Sequence, residues 1–123
     1  TEAGTALAFG SDCPVEDLNP FLGIHAAVTR RRADGFPGPE GWYPEQRLTV
    51  AEAVRAYTRG AAYAAGMEDR LGSLTPGKRA DLVVLDRDIF TCDPMAIAET
   101  RVLATMIDGQ FVWEDEHVPL GRN

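Results

Sequence analysis

Hydrophobic positions along the chain change spacing from segment to segment, and each spacing predicts an element. The run Ala6-Leu7-Ala8-Phe9-Gly10 is continuously apolar and is followed at once by Ser11-Asp12-Cys13-Pro14. That pattern predicts a buried strand of parallel-sheet type with a polar turn at its C-terminal end. Asn19-Pro20 has the form of an N-cap followed by proline at the first helical position, and Phe21, Ile24, Ala27 and Val28 follow at helical intervals. A helix is expected from there to Arg30-Arg31-Arg32, three cations that suit the negative end of the helix dipole and need no ligand to account for them.

Between Ala33 and Arg47 stand Gly35, Gly38 and Gly41 with Pro37, Pro39 and Pro44, too many breakers for a regular element. A long loop is expected, and Phe36, Trp42 and Tyr43 give it apolar surface with which to cover something rather than hang free. Thr49-Val50-Ala51-Glu52 has the capping-box form that opens a helix. Val50, Ala53, Val54, Tyr57, Ala61 and Ala64 then form one apolar stripe, and Gly66 stands where a left-handed C-cap falls. Gly60 inside this helix costs about 1 kcal/mol against alanine, which is tolerable where a neighbouring backbone comes close.

Further on, Thr75-Pro76-Gly77-Lys78 suits a type II turn, and the apolar run within Ala80 to Asp86 reads as a strand. Asp93-Pro94 opens a short helix through Ala98. Val102 to Ile107 and Gln110 to Glu114 flank Asp108-Gly109, a two-residue hairpin turn with both central residues at positive φ. There is no internal repeat and no low-complexity tract.

Length and charge narrow the classes. At 123 residues, 45% of them hydrophobic, the chain can bury a core but is too short for a complete enzyme barrel. Twelve Lys and Arg against 19 Asp and Glu give a net charge of −7, a field that repels phosphate backbones and argues against nucleic-acid partners. No apolar run approaches the roughly 20 residues that span a bilayer. The opening Thr1-Glu2-Ala3-Gly4 lacks the basic and apolar regions of a secretory signal, so a cytoplasmic location is expected, and the absence of an initiating Met suggests a processed chain or a piece of a longer one. Cys13 and Cys92 form no CxxC, so neither a disulfide framework nor a cysteine zinc site is expected.

Candidate chemistry centres on Asp12. A carboxylate just past the C-terminal end of a buried parallel strand occupies the place where α/β barrels put catalytic groups, and Gly10, Ser11 and Pro14 around it allow close approach, a hydrogen bond and a restricted backbone. Equally, an Asp in a Ser-Asp-Cys-Pro turn can simply bond its own backbone. Cys13 as a nucleophile would need a base, and the two histidines, His25 within a helix and His117 near the tail, are not placed beside it by the sequence; a small buried thiol is the expected state. His25 reads as a packing or surface residue, and His117, next to Glu114-Asp115-Glu116, as solvated. No HxH or HExxH pair and no triad, phosphate-loop or dinucleotide signature is present.

Three stretches together resemble the C-terminal end of metal-dependent amidohydrolases, nearest to the amidohydrolase family 3 group that includes N-substituted formamide deformylase-like proteins. They are Leu7 to Val15 (LAFGSDCPV), Leu48 to Thr58 (LTVAEAVRAYT) and Gly72 to Asp86 (GSLTPGKRADLVVLD). The third is the most specific, being close to the family's G-S-[IL]-x-x-G-K-x-A-D-[LF]-V-[VI]-L-D pattern, and the Asp108-Gly109 hairpin resembles the family's terminal strands. The resemblance implies an α/β fragment: residues 1–70 as the last strand-helix portion of a TIM barrel, with the Ala33 to Arg47 loop toward the active-site mouth, and residues 71–123 as β-strands of a small composite β-sandwich completed by strands from the N-terminus. It implies that Asp12 binds a metal and shuttles a proton in the complete parent, with a divalent ion, zinc by expectation, held there by histidines and a bridging or intermediate ligand that this sequence lacks. The implied activity is hydrolysis of C–N bonds in small amide-type, non-peptide substrates. The chain alone is expected to hold no metal, to be inactive, and to self-associate through exposed sandwich edges. The competing reading is a non-catalytic interaction or binding module that pairs through the edge of the Val102 to Trp113 hairpin.

Overall fold

Residues 4–117 are described in the computed structural model of the chain; the opening Thr1-Glu2-Ala3 and residues 118–123 lie outside that range. Helix α1 spans Pro20–Thr29, and the Asn19 side chain caps it by accepting the Phe21 N–H at 3.0 Å. It stops short of the three arginines, because Arg30 turns left-handed (φ 56°) and its N–H closes on the Ala26 carbonyl. Arg30 and Arg31 are half-buried against the long loop, while Arg32 is exposed. The Arg30 Nε donates to the Trp42 carbonyl at 3.0 Å with its guanidinium 5.8 Å from the Trp42 ring centroid, and the Trp42 N–H returns to the Arg30 carbonyl at 2.9 Å. The Arg31 Nε donates to the Gly35 carbonyl and the Arg32 N–H to that of Phe36. Each satisfies a carbonyl of the long loop, so the loop folds back on the end of α1 through a 3-10 turn at Pro44–Gln46.

The capping box forms as expected. The Thr49 hydroxyl accepts the Glu52 N–H, and the Glu52 carboxylate accepts the Thr49 N–H at 2.8 Å. Helix α2 (Val50–Arg55) runs without a break into a π-helical turn, Ala56–Gly60, and then into α3, Ala61–Ala64. Gly66 ends it in the left-handed conformation (φ 64°), with the Met67 N–H on the Ala62 carbonyl. The apolar stripe holds through Tyr57 and then shifts. A π-turn takes one residue more than an α-turn, so Ala62 is buried and Ala64, the regular continuation, is exposed.

The three strands β1 (Leu82–Leu85), β2 (Val102–Ile107) and β3 (Gln110–Glu114) form one antiparallel sheet in the order β1-β2-β3. Asp108 and Gly109 make the hairpin turn at φ 52° and 80°. Its tip is tied to the start of β1, the Asp108 N–H donating to the Asp81 carboxylate and the Gly109 N–H to the Ala80 carbonyl. At the opposite end, the Asp86 carboxylate accepts the Arg101 N–H at 3.0 Å and the Arg87 Nε at 3.2 Å. These bonds hold the Asp86 carboxyl down at about 2, the Arg87 guanidinium acting first and the Arg101 amide second. Asp93 caps the expected short helix, which is 3-10 rather than α and spans Pro94–Glu99.

The core is made of Phe21, Ile24, Ala53, Ile89 and Ile97, with Leu85 and Val102 packed against it. Residues before and after position 70 therefore meet in one core. The run Ala6 to Gly10 departs from expectation: it is not in a strand, and no parallel pair occurs among the described residues. Without a neighbouring strand its backbone groups turn to a helix, the Phe9 N–H donating to the Ala56 carbonyl at 3.0 Å. Three antiparallel strands and a few short helices suit a portion of a larger fold.

Candidate active site

Asp12 lies at the end of a segment clamped from one side. Leu7 to Phe9 rest on the π-turn, where the Phe9 and Tyr57 rings meet edge to face at 5.5 Å. Gly60 is there because nothing larger fits: a Cβ at that position would lie 1.9 Å from the Leu7 carbonyl oxygen. This is the close backbone approach that a glycine inside the helical pattern signals.

Beyond the clamp the chain enters the Ser11-Asp12-Cys13-Pro14 turn. Asp12 adopts φ 54°, a left-handed conformation that Asp tolerates better than most residues, and its carbonyl accepts the Val15 N–H at 2.8 Å. The turn thus uses the Asp12 backbone, and the side chain stays exposed. Cys13 is a free thiol and is exposed rather than buried, since it sits on the same projecting turn.

The histidines lie elsewhere. His25 is 2% exposed, and among the described residues its Nε2 has no hydrogen-bond partner. Burial, and after it the charge of Arg31, pushes the His25 pKa down. His117 is exposed, as expected, but it is paired: its Nδ1 lies 3.2 Å from Asp115 Oδ1. Among the described residues no group of three or more His, Cys, Asp or Glu side chains is placed to hold a metal ion. One exposed carboxylate on a turn does not make a metal site.

Two open clefts flank the helical segment. One, of about 690 Å³, brings Arg55, Arg59 and Lys78 together with Glu52, Glu68 and Asp69 beside residues Gly4 to Leu7. The other, of about 710 Å³, is more apolar, with Ala61, Ala65, Met67, Leu74, Val83 and Phe90 on its walls. Asp12 lines neither. No helix among the described residues is long and apolar enough to cross a membrane. The sequence pointed to Asp12, but it carried no sign of the π-turn beneath Leu7 to Phe9 beyond the glycine at position 60.

Comparison with known proteins gives a consistent result. The amidohydrolase family profile matches residues 1–113. A Bacillus subtilis protein named as an amidohydrolase, YtcJ, is 37% identical over 111 residues, 90% of this chain and 21% of its own length. N-substituted formamide deformylase from Arthrobacter pascens is 36% identical over 113 residues, 92% of this chain and 20% of its own. Among solved structures, an amidohydrolase from Thermotoga maritima superposes with a TM-score of 0.66 at 25% identity, covering 93% of this chain and 24% of that one. The chain therefore spans about a fifth of the length of these curated relatives.

Proposed function

The chain belongs to the amidohydrolase family, and we propose that it is the C-terminal portion of a metal-dependent hydrolase acting on C–N bonds of small amide-type molecules, with Asp12 as the carboxylate it contributes. In this reading residues 1–70 are the end of the parent's barrel and residues 71–123 belong to its small β-sandwich. The parent works in the cytoplasm. What carries the reading is the family match from residue 1 to residue 113 together with the exposed Asp12 carboxylate at the end of a clamped segment. Two relatives support the reaction class by name, one as an amidohydrolase and one as a deformylase of N-substituted formamides.

The chemistry assigned to this chain is that of Asp12. A carboxylate held at the reacting centre takes a proton from the attacking water and returns it to the leaving nitrogen. An exposed turn that employs its backbone and spares its side chain is suited to that task. The same reading makes the isolated chain inactive, and self-association is proposed at the outer edges of β1 and β3, beside which no further strand lies among the described residues and where Phe111, Val112 and Trp113 are exposed.

The test is made on the complete reading frame that encodes these residues. Its product should hydrolyse N-substituted formamides or related small amides, and Asp12→Asn should lower kcat by about 100-fold or more. The 123 residues alone should show no turnover. An Asp12→Asn protein with unchanged kcat, or turnover by the isolated chain, would refute the proposal.

A further inference from the structure

The Ala56–Gly60 π-turn sets three different groups against the segment that leads to Asp12, two at Phe9 and one at Leu7. The Ala56 carbonyl accepts the Phe9 N–H at 3.0 Å, the Tyr57 ring meets the Phe9 ring, and the bare Cα of Gly60 leaves room for the Leu7 carbonyl. In a regular α-helix each carbonyl is taken by the N–H four residues on. Here the Ala56 carbonyl takes the Ala61 N–H, five residues on, and still serves Phe9 with its second lone pair. The wider turn and the glycine together create a seat for an extended backbone on the side of a helix.

We propose that this π-turn positions the Asp12 carboxylate, with Gly60 as the positioning residue that makes the seat possible; the proposal rests on Asp12 being the carboxylate that the chain contributes to the parent's site. Asp12 stands three positions beyond Phe9, with Gly10 and Ser11 between them, a reach of at most about 11 Å when fully extended. The Gly10 Cα has nothing packed against the place a side chain would occupy, so direct support ends at Phe9. Downstream, the next anchor is the cap of α1 at Asn19, farther along the chain than Phe9. Phe9 is the nearer fixed point, and Asp12 takes its place from it. A helix that merely packed would accept alanine at position 60. This one cannot, because the added methyl would meet a backbone oxygen that has no rotamer to change.

The experiment pairs two readouts on the complete protein. Gly60→Ala should speed hydrogen exchange of the Phe9 amide by about tenfold or more while the β2 and β3 amides keep their protection. It should also lower kcat by about 10- to 100-fold with KM changed less than about twofold, the signature of a displaced reacting group rather than a lost binding contact. Tyr57→Leu removes the ring contact without adding atoms to the turn and should move both readouts in the same direction by less; it decides the matter if Gly60→Ala does not fold. A protected Phe9 amide in the variant that folds, or an exposed one with unchanged kcat, overturns the positioning role. Asp12→Asn separates this from the parent reading, since activity that survives that change refutes the carboxylate's role whatever Gly60 does.

Discussion

A second glycine allows the packing between α1 and the π-turn to be tested by sign. Gly23 lies inside α1, where replacement by alanine ordinarily adds about 1 kcal/mol of stability. In this fold an added Cβ would sit 1.9 Å from the Tyr57 hydroxyl oxygen and 2.9 Å from Cζ. Carbon atoms prefer separations of about 3.5–4.0 Å, so the Tyr57 ring must move by more than about 1 Å. That ring is not free to do so, since it packs against the core and meets Phe9 on its edge. Overpacking of this kind costs about 1–3 kcal/mol, which outweighs the gain in helix propensity. Gly23→Ala should therefore destabilise the chain by up to about 2 kcal/mol, read as a lower midpoint in urea with an unchanged m-value. In a Tyr57→Leu background the obstruction is gone, and the same substitution should stabilise by about 1 kcal/mol. The coupling between the two positions is thus about 1–3 kcal/mol. If Gly23→Ala stabilises both backgrounds equally, the contact and the reasoning built on it are wrong.

Two further predictions concern pH. The folded-state pKa of His25 lies below its ordinary 6.5, so the unfolded chain binds the proton more readily. Stability is complete above pH 6.5 and falls as pH drops below it; His25→Gln should flatten that slope in unfolding midpoints taken between about pH 7 and 5, and a slope that persists would assign it elsewhere. Asp86 is depressed from 3.8 to about 2, so its contribution is present above 3.8 and is lost as pH falls through about 2. Asp86→Asn should remove the slope in that window and cost about 1 kcal/mol at neutral pH through the weakened bond to the Arg101 amide. Indistinguishable acid unfolding curves would mean that the bracket between β1 and β2 contributes nothing.

Local chemistry in the sequence was enough to determine the caps, the turns and the hairpin. Asn19-Pro20, the Thr49 to Glu52 box, Gly66, Pro76-Gly77 and Asp108-Gly109 each act through hydrogen bonds or φ values settled within a few residues, and so they are legible without the fold. The amidohydrolase resemblance was legible for a related reason, because it lies in short continuous stretches. Tertiary structure alone decided the rest. Whether Leu7 to Phe9 paired as a strand or rested on a helix depended on which partner stood beside them, and a backbone's hydrogen-bonding partner is not written in its own side chains. The sequence favoured a solvated helix end for the arginines after Thr29, and the return of a distant loop instead drew the Arg30 and Arg31 side chains onto its carbonyls. The π-turn likewise was not legible locally: only the fold shows that the Leu7 carbonyl lies in the space that the glycine in the helix leaves.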